Sequence, residues 1–399
     1  MNGKIQFSAA TRWDDDQLRR WANLSSDQRE LSSIYGCRQE QLIGHGRAPA
    51  DVPYVDDETI ERHALLARSL GVKFLYLLNG NCHHLDLSMP SVRKEFLTDL
   101  EWIVDGVKAD AVVVANPRAV GIIRSRYGPE KLAVRVSTVA GVSSPRDLEP
   151  WLQLGIEGVV LHHDTNRDFA ALKRIIDFSS NSSPPINIEL LLNESCIHGC
   201  SSRSTHYARL AETGLKYVEG FQQTCNLLKF QDPSLLLAAN WIRPEDVSLY
   251  NQIGIQRFKI AGREMPRTWL DRTVSSYLSG VYNGNLVDLF TMTPPLPDTY
   301  ANDLFFLDNR QLKDFLALYC ERPAGKKSFY RDLAAKLWEK GALSVHDPDT
   351  IYSTQAGAVQ CSKPGKHQLK LTWLQDQADH EDLNLRRQEL HALNVRTHP

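Results

Sequence analysis

Residues 187–200 read NIELLLNESCIHGC, and this stretch sets the expectation for the fold and for the site. The run from Ile188 to Leu192 is apolar and short, as expected of a buried strand. It is followed at once by an amide, a carboxylate, two thiols and a histidine. The segment therefore predicts a buried strand that delivers polar, metal-ligating side chains at its carboxyl end.

Outward from this stretch, short apolar runs alternate with longer amphipathic runs up to about residue 285. Alternating strands and helices predict a parallel sheet, and eight such units in this length fit a (β/α)8 TIM-type barrel better than an open doubly wound sheet, which stays the alternative. The candidate strands are Lys4 to Ser8, Ser32 to Gly36, Lys73 to Leu78, Ala111 to Ala115, Leu132 to Ser137, Gly158 to Leu161, Asn187 to Leu192 and Arg257 to Ala261.

Helical patterns lie between these runs, and several open on Asp, Ser or Pro as helices do. They are Asp57 to Leu70, Ser91 to Val107, Pro145 to Leu154, Arg167 to Ile176 and Pro244 to Ile253. The barrel is expected to span residues 1–290, and a linker with a helical extension is expected over 291–345, with helices at Asn309 to Cys320 and Ser328 to Lys340. Residues 346–399 have little apolar periodicity, so a peripheral or disordered polar tail is expected.

Composition restricts the partners and the compartment. The formal net charge is -2, which disfavours a broad basic face for nucleic acid. The start lacks a signal-peptide pattern and no run is long enough to span a bilayer, so a cytoplasmic protein without a membrane span is expected. Seven cysteines are too few for a disulfide framework in 399 residues, so clustered cysteines favour a metal or redox role.

A barrel carries its chemistry on the loops after the carboxyl ends of its strands. Arginine in such a cleft recognises carboxylate or phosphate in a bidentate manner, and amides orient polar ligands. The candidate binding residues for an anionic small molecule are Arg47, Asn79, Asn116, Asn193, Arg203, Arg243 and Arg263. A plain structural interpretation stays open for each of them, since loops are polar anyway and Arg243 stands directly before a helix start.

The cysteines after the seventh strand suggest a metal site. Cys196 and Cys200 are four residues apart, and Cys225 can fold back toward them from an irregular segment. Zinc and iron–sulfur sites usually take four protein ligands. A fourth ligand is sought among Cys320, Cys37, Cys82, His198 and His206. Spacing does not choose between zinc and iron, and buried thiols without a metal are the structural alternative.

Several motifs taken together resemble one known family. LLLNESCIHGC with His206, then WIRPED at 241–246, FKIAGR at 258–263 and YNGNL at 282–286, is similar to the collagenase-like peptidase superfamily, also called peptidase family U-32. IGHGR at 43–47 and LNGNC at 78–82 resemble that family's early motifs. The resemblance covers about residues 30–290, and the last hundred residues match only loosely.

The resemblance implies a function different from the family's name. Its better understood members are iron–sulfur proteins that hydroxylate an aromatic quinone precursor or RNA bases without dioxygen, with prephenate as oxygen donor. It therefore implies a TIM-type barrel with a [4Fe-4S] cluster held by Cys196, Cys200 and Cys225. The implied fourth ligand is Cys320, with Cys37 as an alternative.

Three functions follow as hypotheses. The preferred one is an oxygen-independent hydroxylase of a small molecule in a biosynthetic pathway, with arginines holding a dicarboxylate donor such as prephenate and with His206 and Glu194 as catalytic residues. The second is a cysteine peptidase with Cys196 as nucleophile and His206 or His198 as base, which leaves the other cysteines without a purpose. The third is a non-catalytic, cluster-carrying subunit that pairs with a homologous chain.

Overall fold

A computed structural model describes residues 3–81, 85–211, 219–291, 305–313, 315 and 327–345. Eight parallel strands form a closed barrel in which each strand bonds to the next and the eighth bonds to the first. The strands are β1 (Ile5–Ala10), β2 (Arg29–Gly36), β3 (Lys73–Leu78), β4 (Ala111–Val114), β5 (Ala133–Val136), β6 (Gly158–Val160), β7 (Asn187–Leu191) and β8 (Arg257–Ile260). The predicted (β/α)8 barrel is confirmed, and the open sheet is wrong.

Helices follow the strands and cover the barrel. They are α1 (Asp15–Asn23), α2 (Asp57–Ser69), α3 (Pro90–Glu101), α4 (Pro117–Arg126), α5 (Pro145–Gln153), α6 (Phe169–Ser180), α7 (Arg203–Leu210), α8 (Glu219–Gln231), α9 (Ser234–Ala238), α10 (Val247–Gln252) and α11 (Arg267–Ser279). The starts of five helices are fixed by side chains that accept a hydrogen bond from a backbone N–H of the first turn, namely Asp14, Asp56, Asn116, Ser144 and Asp168.

Two predicted helices are interrupted. The pattern from Ser91 to Val107 ends as an α-helix at Glu101 and continues as a π-helical turn over Trp102–Gly106. The pattern from Pro244 to Ile253 begins as a 3₁₀ turn over Pro244–Asp246 before α10. Both helices lie where the apolar period placed them, but periodicity does not distinguish α, 3₁₀ and π turns.

The C-terminal region differs more from the expectation. Helix α12 (Lys327–Glu339) agrees with the predicted helix. The two-stranded antiparallel sheet of β9 (Phe305–Leu307) and β10 (Leu343–Val345) was not predicted. A 3₁₀ turn, Asn309–Leu312, stands at the start of the predicted helix at 309–320, and most of the remaining residues of that segment lie outside the described part of the chain. The polar tail at 346–399 also lies outside it. Within the described residues, no helix combines the length and apolar character needed to cross a bilayer.

The C-terminal region packs on the segment that returns from α8 to the barrel. Trp241 is stacked between Phe290, with ring centroids 5.4 Å apart, and Phe315, at 5.2 Å. Arg331 of α12 forms an ion pair with Asp232 at 3.1 Å. Ile242, the residue after Trp241, donates its backbone N–H to the carbonyl of Leu192 at 2.7 Å, so the connection between α9 and α10 lies at the carboxyl end of β7, which is the end that carries the candidate site.

The interior of the barrel is unusually polar. Ser8 on β1 donates a hydrogen bond of 2.5 Å to Glu189 on β7, across the intervening strand β8. Arg135 on β5 approaches the other oxygen of Glu189 at 3.9 Å. Barrels of this class usually fill their interior with branched apolar side chains. Buried charge inside the barrel therefore needs an explanation of its own.

Candidate active site

The loop that carries the cysteines is fixed at its start by Asn193. The Asn193 amide donates to the carbonyl oxygens of Ala261 and Leu289, each at 3.1 Å, and its oxygen accepts from the Ala261 N–H at 2.8 Å. Asn193 is fully buried. Asn193, a predicted binding residue, therefore links the carboxyl ends of β7 and β8. Both its amide nitrogen and its amide oxygen are hydrogen-bonded to the backbone.

Asp164, on the loop after β6, holds the middle of the cysteine loop. Its carboxylate accepts from the Gly199 N–H at 3.2 Å, from the Asn240 amide at 2.7 Å and from the Arg203 guanidinium at 3.1 Å. Gly199 has a φ of 64°, which an L side chain adopts only under strain. Because three donors from three segments converge on one carboxylate, Asp164 positions the loop. The sequence does not single out Asp164, because polar residues are common on the loop after a strand.

Arg203 opens α7 and is enclosed by acceptors. Besides Asp164, its guanidinium contacts the Nε2 of His163, the Nε2 of His162 at 3.3 Å and the carbonyl of Ile197. The two imidazoles are stacked with centroids 4.7 Å apart. Burial, followed by the charge of Arg203, lowers the pKa of His163 well below its ordinary value, so this ring is neutral and can accept from the guanidinium. Arg203 is thus part of a closed network.

Cys196 lies in a buried, acidic environment. Its thiol donates to the Glu194 carboxylate, with a sulfur–oxygen distance of 3.8 Å. Burial and then the Glu194 charge raise the pKa of Cys196 to about 12, against the opposing charges of Arg203 and Lys229. The thiol is therefore protonated at neutral pH unless a metal displaces its proton.

The thiol of Cys225 lies within electrostatic reach of both Cys196 and Cys200. Cys196, Cys200 and Cys225 are free and partly buried. Burial raises the pKa of the Cys225 thiol, and the charge of Cys200 adds to that rise, while Cys225 in turn raises the pKa of Cys196. The structure thus brings Cys225, on α8, to the side of the barrel where the β7 loop lies.

Lys229 is a buried cation beside these thiols, one helical turn after Cys225. Its ammonium donates to the Ser195 hydroxyl at 3.3 Å. Burial lowers the pKa of Lys229, and the thiols of Cys196 and Cys225 are the leading groups that oppose the shift. Lys229 can compensate negative charge on thiolates. The sequence offered no signal for it, because a single lysine in an amphipathic helix is ordinarily solvated.

The donor chemistry of these residues fits a thiolate-ligated cluster, but the geometry is not preformed. The free thiols of Cys196 and Cys225 lie near the Lys229 ammonium and the Arg203 guanidinium, and the free thiol of Cys200 lies near Cys225. Across the described ranges, no three His, Cys, Asp or Glu side chains are arranged to hold a metal ion. The predicted fourth ligand, Cys320, and the alternative Cys82 lie outside those ranges. Cys37 is buried beside Arg263, and none of the other thiols contributes to its pKa, which burial raises.

Arg47 and two glutamates form a second buried network at the mouth. Arg47 donates to Glu194 at 2.8 Å and lies 3.0 Å from Glu264. Burial alone would raise the pKa of Glu264, but the charge and hydrogen bond of Arg47 lower it, so the carboxylate is ionised. Arg47 lies at the mouth as predicted, yet two carboxylates already match its charge.

His206 is near this network without bonding to a thiol. Its ring is stacked on Phe221 with centroids 5.1 Å apart, and its Nε2 is a buried atom without a hydrogen bond. Burial, then Arg47 and Arg203, lower the pKa of His206 to about 4. The ring is neutral at pH 7 and has one nitrogen ready to accept a proton.

Three other predicted binding residues have structural contacts. Arg243 makes a bidentate ion pair with Asp246, at 2.6 and 2.7 Å, and both are buried. Asn116 caps α4 by accepting from the Arg118 N–H at 2.9 Å. Asn79 donates to Ser137 at 3.0 Å, and its buried oxygen has no hydrogen bond. The predicted role of Arg243 is not supported, because its charge is already neutralised inside the fold.

Comparisons with known proteins find one similar curated protein and several solved structures. The chain is 25% identical over 305 residues to an uncharacterized protease, MJ1657, of Methanocaldococcus jannaschii; the match covers 74% of this chain and 86% of the relative. No protein-family model matches the chain. Among solved structures, the U32 peptidase Mk0906 aligns with a TM-score of 0.48 and 15% identity over 67% of this chain and 96% of that one. The citrate synthase SbnG aligns with a TM-score of 0.37 and 10% identity, over 70% and 93%.

Proposed function

We propose that this chain is a U-32-type barrel enzyme in which Cys196, Cys200 and Cys225 hold a [4Fe-4S] cluster. Its reaction is the dioxygen-independent hydroxylation of a small molecule, with a dicarboxylate such as prephenate as oxygen donor. The observation that carries the proposal is that the free thiols of Cys196 and Cys225 lie within electrostatic reach of the buried cations Lys229 and Arg203, with the free thiol of Cys200 near Cys225. Sequence similarity to a named protease supports the U-32 part of the proposal.

The cluster supplies electron transfer at the barrel mouth when it is bound. Cys196, Cys200 and Cys225 are its ligands from this part of the chain, and Cys320 is the proposed fourth. Thiols that are protonated at neutral pH become ligands by releasing their protons to solvent on metal binding. Lys229 and Arg203 then offset the negative charge of the thiolates.

Four other residues at the site have proposed binding or positioning roles. His206 is neutral at pH 7, and its buried Nε2 has no hydrogen-bond partner among the described residues, so this nitrogen is available to accept a hydrogen bond from a ligand hydroxyl. Glu194 is held in place by Arg47, so its second oxygen is directed at Cys196. Asn79 offers a buried amide oxygen to a ligand hydroxyl. Asp164 keeps the cysteine loop in position.

The contacts of Cys196 disfavour a peptidase. A cysteine nucleophile needs a lowered pKa and a base in contact with the thiol. Here the pKa of Cys196 is raised to about 12, and the thiol's partner is the Glu194 carboxylate rather than a histidine. His198 bonds instead to the Asn240 amide at 3.0 Å.

Calorimetry and a proteolysis assay on the same anaerobic preparation separate the two activities. Under the hydroxylase proposal the wild-type protein binds prephenate and leaves an unfolded polypeptide intact. Under the peptidase alternative it cleaves the polypeptide, and Cys196→Ala abolishes cleavage. A wild-type protein that binds no prephenate and cleaves the polypeptide in a Cys196-dependent way would overturn the proposal.

A further inference from the structure

Lys259, the penultimate residue of β8, is a buried cation without a protein acceptor. Its side chain is 8% exposed. The ammonium nitrogen lies 4.0 Å from the centroid of the Tyr35 ring, a cation–π contact. Among the residues that the structure describes, no hydrogen bond or ion pair reaches this nitrogen. An ammonium has three donors, and burying them unmet costs free energy.

The strand register shows that Lys259 points into the barrel. Ser8 on β1 is the register partner of Lys259 on β8. Neighbouring register partners in a sheet share a face. Ser8 faces the interior, because its hydroxyl bonds to Glu189 across the barrel. Lys259 therefore projects inward near the carboxyl end of its strand, below the mouth.

Arg263 stands four residues further along, at the rim, and is also under-partnered. It is 8% exposed. Over the described ranges, the one hydrogen bond of its guanidinium goes to the Cys37 sulfur at 3.1 Å. Sulfur is a weak acceptor, whereas a guanidinium has five donors arranged to match a carboxylate. Most of its donors are thus left for another partner.

The surrounding charges do not neutralise Lys259. Burial lowers its pKa to about 8; Glu189 opposes this shift, whereas Arg263, Arg135 and Arg47 add to it. Glu189 is the one acid among these groups, and it already bonds to a hydroxyl and faces Arg135. Glu264 pairs with Arg47 and is also within electrostatic reach of Arg263, so it offsets part of the Arg263 charge. Lys259 is therefore the cation that has no carboxylate contact among the described residues.

We propose that Lys259 and Arg263 bind one carboxylate group of the ligand inside the barrel mouth, with the ammonium below it and the guanidinium fork at the rim. This assigns Lys259 a ligand-binding role and rests on the proposed function only in placing the ligand at this mouth. A carboxylate fits better than a phosphate dianion, because Glu189 in the same interior repels the second charge more strongly.

The test is anaerobic calorimetry with succinate, and with inorganic phosphate at matched ionic strength. Wild-type protein is expected to bind succinate, and Lys259→Met to bind it about ten- to a hundredfold more weakly, as expected for a lost charge-assisted hydrogen bond. Lys259→Arg keeps the charge and stays within a few-fold of wild type. Lys173→Met, at an exposed site on α6, is the matched control and stays unchanged.

Proton uptake distinguishes direct binding from an indirect packing effect. At pH 8 about half of the Lys259 side chains are neutral, so a bound carboxylate draws up to about half a proton onto the amine. Calorimetry in two buffers of different ionisation enthalpy measures this uptake. Lys259→Arg should bind succinate without it, since arginine stays charged throughout.

A thermal unfolding midpoint for Lys259→Met provides a second readout. Removing an unmatched buried charge is expected to leave the midpoint unchanged or higher, whereas a structural lysine would lower it. If Lys259→Met fails to fold, Arg263→Gln, with the same expected loss of affinity, replaces it. Undiminished succinate binding in the variant, no succinate binding in wild type, or binding of phosphate alone each overturns the proposal. Iron content is unaffected by these variants, so this result is independent of the cluster assignment.

Discussion

Two regions of the molecule differ in whether their buried cations are paired with a carboxylate. After β6 and β7, Arg203 is matched by Asp164 and Arg243 by Asp246, each at hydrogen-bonding distance. Among the described residues, the one contact of the Lys259 ammonium on β8 is the face of an aromatic ring. All three cations are buried, so burial alone does not distinguish them. What distinguishes them is whether the fold supplies an acceptor: a matched cation is structural, and an unmatched one implies a ligand.

The largest expected change in stability comes from breaking the buried ion pair between Arg243 and Asp246. Arg243→Ala leaves Asp246 charged and buried without its partner, which costs about 3 to 5 kcal/mol of unfolding free energy. Urea denaturation monitored by circular dichroism measures the loss. Succinate affinity per folded molecule is expected to stay the same, because Arg243 does not contact the ligand.

An exposed pair is the matched control for this prediction. Arg126 and Glu101 form an ion pair at 3.1 Å with both side chains more than half exposed. Arg126→Ala should cost no more than about 1 kcal/mol. A stable Arg243→Ala variant that loses succinate binding would reverse the assignment and make Arg243 a ligand-binding residue.

A smaller change in unfolding free energy is expected from the titration of His206, which lies near Arg203 and Arg47. His206 stays neutral in the folded protein down to about pH 4, whereas an unfolded histidine gains its proton near pH 6.5. Between these values the unfolded state binds more protons, so stability rises with pH across that window. His206→Phe keeps an aromatic ring stacked on Phe221. It should reduce the slope of unfolding free energy against pH by an amount that corresponds to less than one proton.

Urea titrations of both proteins at several pH values between 4 and 8 measure the difference. Above pH 7 both states of wild type carry a neutral His206, so the two stabilities should run parallel there. A wild-type slope between pH 4 and 6.5 that His206→Phe fails to reduce would contradict the lowered pKa.

The barrel and its strands could be predicted from the sequence, because each strand is a short apolar run and each helix has an amphipathic period. The inward direction of Lys259 could not. A lysine within RFKIAG indicates a strand with one charged residue, and only the closed register with Ser8 shows that it faces the interior.

The positions of the candidate site residues could be predicted from the sequence. Their hydrogen-bond and ion-pair partners could not. Cys196 and Cys200 stand in one motif, and the structure brings Cys225 within electrostatic reach of both. Arg243 is an equally good candidate by position, but its charge is matched by Asp246, an acid three residues on in the sequence. Pairing of this kind depends on side-chain direction, which the order of residues does not reveal.

The iron and acid-labile sulfide content of anaerobically purified variants tests the central claim most directly. We expect Cys196→Ser, Cys200→Ser and Cys225→Ser each to lose most of the iron and sulfide of wild type while keeping its circular dichroism, because the barrel supplies most of the stability. Cys37→Ser tests the alternative fourth ligand and should retain both, because its thiol lies beside Arg263 rather than beside the other three thiols. Full iron and sulfide in all three variants, or their absence from the wild-type protein, would contradict a cluster held by these thiols.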